Sequence, residues 1–276
     1  MRRHLVTYLS LSALALLAAG GLAMGPGGGK GKKDSELCLV RPDDPPDDNA
    51  KGTLRIRHKG NGESFEVHIM KVTSGNSHHL WLEDPIDSDT FTDLGAFDSD
   101  GGSQHMKFDT KKGDALPLGA ASLDDLIGRR VEVRHDGAVV LLGIVPPWGL
   151  SKKPQKAKVE VEAPDGAPAQ DMHGTLSLRG KDDKGQERID LKAKKVPFDD
   201  GPFHVFVEED VGAGTFVDSG KLDKTGKHEG RWRRDTKKGQ ALPDGVFFVS
   251  DLADRLIEVR DDDGTVYLRG TIPLVK

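Results

Sequence analysis

Apolar and polar residues alternate along most of this chain. Strict alternation occurs at residues 159–162, 257–260 and 266–272. A period of two places successive side chains on opposite faces of an extended strand, so these segments predict strands with one buried and one solvated face. Asp-Gly pairs separate such runs at residues 136–137 and 263–264, which is typical of tight β-hairpins.

The pattern predicts an all-β fold, with about eight short antiparallel strands in each half of the chain. The only helical candidates are a short turn at residues 122–127, with Ser122 as its N-cap, and a counterpart at residues 250–254. Many short strands separated by turns predict a β-sandwich or a small barrel, and the sequence leaves both open. The strands of the first half are expected near residues 36–41, 53–58, 65–72, 79–84, 90–96, 105–109, 130–135 and 138–145.

One unit occurs twice in the chain. Residues 109–117 recur as residues 235–243 with eight of nine positions identical, and further matches extend outward from this segment at offsets between 122 and 127. The two copies, repeat 1 and repeat 2, span residues 35–147 and 157–276 and are joined by a linker at 148–156. Each copy has the size of an ordinary domain, whereas solenoids and propellers repeat roughly every 20–50 residues. We therefore predict two tandem homologous β-domains.

The N-terminus has the features of a secretory signal. A pair of arginines near the start precedes an apolar segment at residues 5–19, and small residues follow at 21–23. A charged start, a short apolar core and a small-residue exit are typical of a cleaved signal peptide. We expect a signal within residues 1–25, a flexible Gly- and Lys-rich linker at 26–34, no membrane span after cleavage, and a secreted or periplasmic location.

Composition and charge exclude several classes of function. The formal net charge is −5, so the chain lacks the overall basic field that holds nucleic acid, and no nucleic-acid partner is expected. The single cysteine excludes an internal disulfide and a cysteine zinc site. The sequence contains no His-Glu-x-x-His, Gly-x-Ser-x-Gly or phosphate-loop motif, so we expect no metal, no cofactor and no identifiable catalytic residue. Cys38 aligns with Glu160 at an outward strand position and is expected to face solvent.

A strand motif of alternating chemistry occurs once in each copy. Alternate residues of a strand share one face, so a histidine, an aromatic ring and a glutamate would line up there. If exposed, this face would stack a sugar ring or a peptide; if buried, the ring would belong to the core, which the apolar residues on the opposite face favour. The candidate binding residues are His79, Trp81 and Glu83 in repeat 1 and His204, Phe206 and Glu208 in repeat 2.

The Asp-Thr-Lys-Lys-Gly loop is a second duplicated feature. Its lysines are candidate contacts for an anionic ligand, one pair per copy: Lys111 and Lys112, then Lys237 and Lys238. A structural role is the favoured interpretation, because Asp109 and Thr110 can cap the turn with side-chain hydrogen bonds and Gly113 can adopt a positive φ.

The last strand of repeat 1 has aliphatic residues where repeat 2 is polar. Val140, Leu142 and Ile144 occupy outward positions, whereas the equivalent positions of repeat 2 hold Tyr267, Arg269 and Thr271. Three adjacent exposed aliphatic side chains would form a patch of the size that marks an interface. We expect repeat 2, the Trp148 linker or a partner chain in self-association to cover this face; the alternative is a covering loop within repeat 1.

These features favour a secreted or periplasmic protein that acts as a non-catalytic binding or structural module of the cell envelope. Its ligand would be an extracellular polysaccharide or protein, and duplication would strengthen weak binding through multivalency. The alternative is an extracellular hydrolase that acts on a polymer through carboxylates at the junction of the two domains.

Overall fold

The computed structural model describes residues 33–42, 45–72, 77–100, 103–148, 155–181 and 184–275. These residues confirm the all-β fold, and all pairings between the named strands are antiparallel. The strands of repeat 1 are β1 (Lys33–Leu39), β2 (Lys51–Lys59), β3 (Gly62–Met70), β4 (His79–Glu83), β5 (Phe91–Ala96), β6 (Asp98–Asp100), β7 (Ser103–Asp109), β8 (Arg130–His135) and β9 (Ala138–Ile144). Those of repeat 2 are β10 (Gln155–Glu162), β11 (His173–Gly180), β12 (Arg188–Lys194), β13 (Phe203–Glu208), β14 (Phe216–Lys221), β15 (Asp223–Gly226), β16 (Glu229–Asp235), β17 (Leu256–Asp261) and β18 (Val266–Thr271).

The two repeats have the same strand order. Repeat 1 forms a sheet β1-β2-β3-β7-β6 and a sheet β5-β4-β8-β9; repeat 2 forms β10-β11-β12-β16-β15 and β14-β13-β17-β18. In repeat 2 one residue pair, Glu162 with Arg269, joins the two parts into a sheet of nine strands. The same place in repeat 1 holds an isolated bridge between Val40 and Leu142. Among the described residues, each repeat has nine strands, one more than predicted; the additional strand is the short β6 or β15.

Each repeat encloses its own apolar core. In repeat 1, the inward residues of both sheets meet in one cluster that includes Phe65 and Val67 from β3 and Leu80 from β4. An equivalent cluster in repeat 2 contains Phe203 and Trp232. The two sheets of repeat 1 share one core between their inner faces, as in a β-sandwich. The nine strands of repeat 2 form a single sheet around its core, which is a more barrel-like arrangement. On β17 the alternation identified the inward residues correctly, because Ile257 and Val259 are both buried.

The expected helical turns are single 3-10 turns, Leu123–Leu126 and Val249–Leu252. Ser122 is the N-cap of the first, and the Asp125 side chain accepts a hydrogen bond from the Ser122 N–H at 2.9 Å. In the part of the chain that the structure describes, no helix has the length and apolar character needed to cross a membrane. Further 3-10 turns lie at Thr110–Lys112, Pro117–Gly119, Phe198–Asp200, Thr236–Lys238 and Pro243–Gly245.

Repeat 2 packs against the beginning of repeat 1. Residues Gly31–Lys276 form one compact unit, so the independence of two domains stays a prediction. The Arg41 N–H donates to the Gly239 carbonyl at 2.9 Å, and the backbone of Gly185 lies directly against Leu37 and Cys38. We call this contact the junction.

The expectation that Cys38 faces solvent is wrong. Its neighbours Leu37 and Leu39 are buried, as alternation predicts. The side chain of Cys38 is buried as well, with its Sγ 3.7 Å from the Lys184 carbonyl oxygen. Burial, together with the nearby charge of Glu36, raises the pKa of the thiol to about 12. The covering surface belongs to repeat 2, which alternation within repeat 1 gives no means of predicting.

The aliphatic face expected on β9 is also different from the prediction. A β-bulge places Val140 between the paired residues Val139 and Leu141, and Val140 is buried in the core of its own repeat. A bulge re-aims one side chain and breaks the alternation. Leu142 pairs with Val40 of the same repeat and is half-buried, as is Ile144. The second repeat is therefore not needed to explain why Val140 and Leu142 are apolar.

Candidate ligand-binding site

The outward aromatic residues of the two repeats stack on arginines of the protein itself. The guanidinium of Arg134 lies 4.7 Å from the centroid of the Trp81 ring and 4.9 Å from that of Phe91. In repeat 2, the guanidinium of Arg260 lies 4.8 Å from the Phe206 ring and 4.4 Å from the Phe216 ring. These cation–π contacts use the ring faces that a sugar would need. The duplicated aromatic residue therefore packs at the surface of the fold.

The histidines of the motif share this face, but the glutamates do not. His79 Nδ1 lies 2.9 Å from Asp93, and His204 Nδ1 lies 2.8 Å from Asp218. Glu83, in contrast, is fully buried, and its carboxylate accepts hydrogen bonds from the backbone and side chain of Arg130.

Glu208 has an equivalent structural role at the end of β13. It is buried and accepts hydrogen bonds from the N–H groups of Gly214 and Leu256, both at 3.1 Å. These backbone hydrogen bonds hold the pKa of Glu208 below its ordinary value. The sequence motif thus divides into an outward His and ring and an inward Glu that ties two strand ends together.

In the Asp-Thr-Lys-Lys-Gly loop of repeat 1, Asp109 caps the turn as expected, because its Oδ1 accepts a hydrogen bond from the Lys111 N–H at 3.1 Å. The equivalent Asp235 makes no side-chain cap. The threonines do not cap the turn; they join the loop to another segment of the same repeat. Thr110 Oγ1 accepts a hydrogen bond from the Glu63 N–H at 2.9 Å, and Thr236 Oγ1 accepts one from the Glu187 N–H at 2.8 Å. Gly113 and Gly239 have φ values of 91° and 78°, in the left-handed region that favours glycine. The two copies of the loop therefore fold alike.

The surroundings of the two loops differ. In repeat 1 Lys111, Lys112 and Gly113 are exposed. In repeat 2 Thr236 and Gly239 are buried at the junction, while Lys237 and Lys238 stay exposed and line an open depression together with Lys51 of repeat 1. The duplicated lysines thus meet different neighbours, and the second pair belongs to a concave surface built from both repeats.

This depression and its neighbour form one basic groove. Their volumes are about 490 and 520 Å³, and both are lined by Arg179 and Arg188. The described residues that line the groove comprise nine cations and three carboxylates, on a chain whose net charge is −5. Residues 149–154 and 182–183, which adjoin it in sequence, lie outside the described residues. The cations are Lys51, Lys156, Lys158, Arg179, Lys181, Arg188, Arg233, Lys237 and Lys238.

Strand register places three of these cations in a row. Lys156 of β10 pairs with Arg179 of β11, and Arg179 pairs with Arg188 of β12. Side chains directly opposite each other on antiparallel strands lie about 5 Å apart, and like charges there are destabilising. Neither Lys156 nor Arg179 forms an ion pair with another described residue, whereas Arg188 contacts Asp190 at 2.8 Å. We call Lys156, Arg179 and Arg188 the cationic row.

The same row in repeat 1 is balanced. Asp34 pairs with Arg57, and Arg57 pairs with Ser64. The Arg57 Nε lies 3.6 Å from the Asp34 carboxylate, so the charges of this row compensate each other. The fold itself therefore does not require three cations at these positions, and the excess positive charge is specific to repeat 2.

The carboxylates of the groove have structural partners. Asp190 accepts hydrogen bonds from Arg231 and Arg188, and although burial raises its pKa, these hydrogen bonds outweigh burial and hold the pKa below its ordinary value. Glu187 Oε2 accepts a hydrogen bond from the Val249 N–H at 3.1 Å. Asp235 pairs with Arg233. The geometry does not single out a pair of carboxylates for acid–base chemistry.

The cationic row could not be predicted from the sequence. Its sequence signal is weak: a basic residue at an outward strand position is ordinary, and only the register of three strands shows that Lys156, Arg179 and Arg188 are neighbours. No group of three or more His, Cys, Asp and Glu side chains in the described ranges is arranged to hold a metal ion. Comparison of the chain with protein-family models, curated proteins and solved structures finds no match.

Proposed function

We propose that this chain acts outside the cytoplasm as a non-catalytic module that binds an anionic ligand in the basic groove. The cationic row carries the proposal. In the free protein this row places like charges side by side, whereas the equivalent row of repeat 1 is balanced. An anionic ligand would neutralise the positive charge of the cationic row. Arginine in particular presents paired N–H donors that suit carboxylate, sulfate and phosphate groups.

The signal-like N-terminus supports a location in the envelope or outside the cell. A hydrolase function receives less support, because Asp190, Glu187 and Asp235 have structural partners and cations outnumber carboxylates in the groove.

The test replaces the cationic row of repeat 2 with the residues of repeat 1. The variant Lys156→Asp/Arg188→Ser creates the order Asp-Arg-Ser that Asp34, Arg57 and Ser64 already form. We expect its affinity for dextran sulfate, a generic polyanion, to fall at least tenfold at low ionic strength. Its melting temperature without ligand should be equal to or above that of the unchanged protein, because the like-charge contacts are gone.

A matched control carries Lys111→Asp/Lys112→Ser in the exposed loop of repeat 1, which lowers the net charge by the same amount. This control should bind dextran sulfate like the unchanged protein. Equal loss in both variants would mean that binding follows net charge alone, and unchanged binding in the groove variant would refute the proposal.

A further inference from the structure

The junction joins two different surfaces of a repeat, and each of these surfaces occurs twice in the chain. The first is the outer edge of the first strand with the residues that follow it, and we call it the strand surface; it comprises residues 37–41 in repeat 1 and 159–163 in repeat 2. In repeat 1, where the backbone of repeat 2 covers this surface, Leu37 is 1% exposed. The equivalent Val159 of repeat 2 is only half-buried. The strand surface of repeat 2 is therefore partly open to solvent.

The second surface is formed by the Asp-Thr-Lys-Lys-Gly loop, and we call it the loop surface; it comprises residues 110–113 in repeat 1 and 236–239 in repeat 2. In repeat 2 it lies against repeat 1, and a Cβ added at Gly239 would be 3.0 Å from the Ala50 carbonyl oxygen. A Cβ added at the equivalent Gly113 would have no atom within 4 Å, and both lysines of this copy are exposed. The loop surface of repeat 1 is therefore open as well.

The hydrogen bond of the junction has an unused counterpart. At the junction the Arg41 N–H donates to the Gly239 carbonyl at 2.9 Å. Ala163 and Gly113 occupy the equivalent positions of the other two surfaces. Neither the Ala163 N–H nor the Gly113 carbonyl has a backbone hydrogen-bond partner among the described residues. The two open surfaces thus offer the same donor and acceptor a second time.

We propose that the two open surfaces bind each other between copies of this chain. The loop surface of repeat 1 in one copy would lie on the strand surface of repeat 2 in the next copy, as the other two surfaces do within one chain. Because the two surfaces differ, this contact is head-to-tail, and it extends into rings or open chains instead of stopping at a dimer. The inference does not rest on the proposed anion binding.

The charges of the two open surfaces are opposite. The loop surface of repeat 1 carries two exposed lysines, and the strand surface of repeat 2 carries the exposed Glu160 and Glu162. At the junction Cys38 occupies the position of Glu160. Burial raises the pKa of this thiol and the charge of Lys237 opposes the rise, so the first loop lysine acts at this strand position. Between copies, Lys111 would approach the Glu160 carboxylate in the same way.

The partners of Glu160 within its own repeat leave it available for this contact. Its carboxylate accepts a hydrogen bond from the Thr175 hydroxyl at 2.8 Å and lies 3.4 Å from the Lys158 ammonium group. The side chains of Glu160 and Lys158 are 58% and 66% exposed. An exposed ion pair of this kind is weak, so a lysine of another copy can compete with it.

The alternative contact joins two strand surfaces. On its outer side β10 pairs with β18 only at Glu162. An unpaired strand edge can pair with the same edge of a second copy. That contact would be a symmetric dimer, and it would not need the loop lysines. Variants of the loop surface therefore separate the two contacts.

The experiment measures the molar mass of the purified chain by sedimentation at low ionic strength, over about a hundredfold range of concentration. The unchanged protein should form species larger than a dimer as its concentration rises. The loop variant Lys111→Glu/Lys112→Glu and the strand variant Glu160→Lys/Glu162→Lys should each weaken association by about tenfold or more, because like charges then meet. A chain with all four substitutions should regain most of the lost affinity, because the charges are again opposite.

A matched control carries Lys221→Glu/Lys227→Glu, which changes the net charge as the loop variant does but alters exposed lysines outside both surfaces. It should associate like the unchanged protein, and circular dichroism verifies the β-fold of every variant. Equal loss in the control and the loop variant would refute the proposal, as would an unchanged protein that stays monomeric throughout. Association that the strand variant abolishes and the loop variant leaves intact would show the symmetric contact instead. Failure of the four substitutions to restore association would refute the pairing of these charges.

Discussion

The substitution Gly185→Ala is a direct test of the junction. Gly185 has a φ of +53°, and a Cβ at this position would lie 2.4 Å from the Leu37 Cα and 2.6 Å from the Cys38 nitrogen, closer than real Cβ atoms approach. The left-handed backbone costs an alanine about 1 kcal/mol. The clash involves backbone atoms, which do not rotate away as a side chain would. We therefore expect repeat 2 to move off the first strand of repeat 1.

Cys38 reports this movement. With a pKa of about 12, the thiol is protonated almost completely at pH 8, so the buried cysteine should resist a thiol reagent in the folded protein. If opening returns the pKa to its ordinary value of about 8.5, the thiolate fraction at pH 8 rises by about a thousandfold. Gly185→Ala should therefore raise the labelling rate of Cys38 by two to three orders of magnitude, roughly.

The assay follows labelling at pH 8 beside circular dichroism, which verifies that the β-fold persists. Gly245→Ala is the control, because Gly245 has a φ of +67° and no atom within 4 Å of an added Cβ. It has the same backbone cost without the clash, so Cys38 should stay protected. A folded Gly185→Ala protein in which Cys38 labels as slowly as before would refute the packing described for the junction.

Two further predictions concern buried polar groups. Thr236→Val should lower the free energy of unfolding in urea by about 1–3 kcal/mol, because it leaves the buried Glu187 N–H and Gly185 carbonyl without their hydrogen bonds. Thr110→Val should lower it by less, because Thr110 is half-buried. Equal losses in the two variants would contradict this account. Burial raises the pKa of Glu83, but hydrogen bonds from Arg130 outweigh burial and hold the pKa below its ordinary value. The stabilising contribution of the Glu83 carboxylate is therefore present above about pH 4.3 and is lost as the pH falls through the lowered pKa. The difference in unfolding free energy between the unchanged protein and Glu83→Gln should accordingly shrink from pH 7 to pH 3. A constant difference would show that the charge of Glu83 has no role.

Local chemistry was predictable wherever a few neighbouring residues decide the structure. Alternation predicted eight of the nine strands of repeat 1, and the capped turn at Ser122 and the positive φ of Gly113 followed from residue type. The missed strand, Asp98–Asp100, has only three residues and no apolar member, so no hydrophobic pattern indicates it.

The incorrect predictions of which side chains face solvent have two causes, a β-bulge and the packing of one repeat on the other. A bulge of one residue moved Val140 from the outward face into the core, and Tyr267 lies at the equivalent bulge of repeat 2. Alternation specifies a face only while the pairing stays regular, and a bulge inserts one residue that breaks it. The assignments after the bulge hold, because Leu141 and Val145 are buried while Leu142 and Ile144 are half-buried. The burial of Cys38 depends on residue Gly185, far along the chain, which no local pattern connects to it.

The sequence by itself determined the strands, the duplication and the turns, because these depend on contacts between near neighbours and on backbone preferences. The tertiary structure decided which residues of the two copies become different. It buried Thr236 and Gly239 of the second loop at the junction, and it brought Lys156, Arg179 and Arg188 into one row. The physical reason is that strand register and the packing of the repeats depend on residues that are distant in sequence. The local charge at a surface is the sum over all the groups that this register brings together, so it too is decided by the tertiary structure.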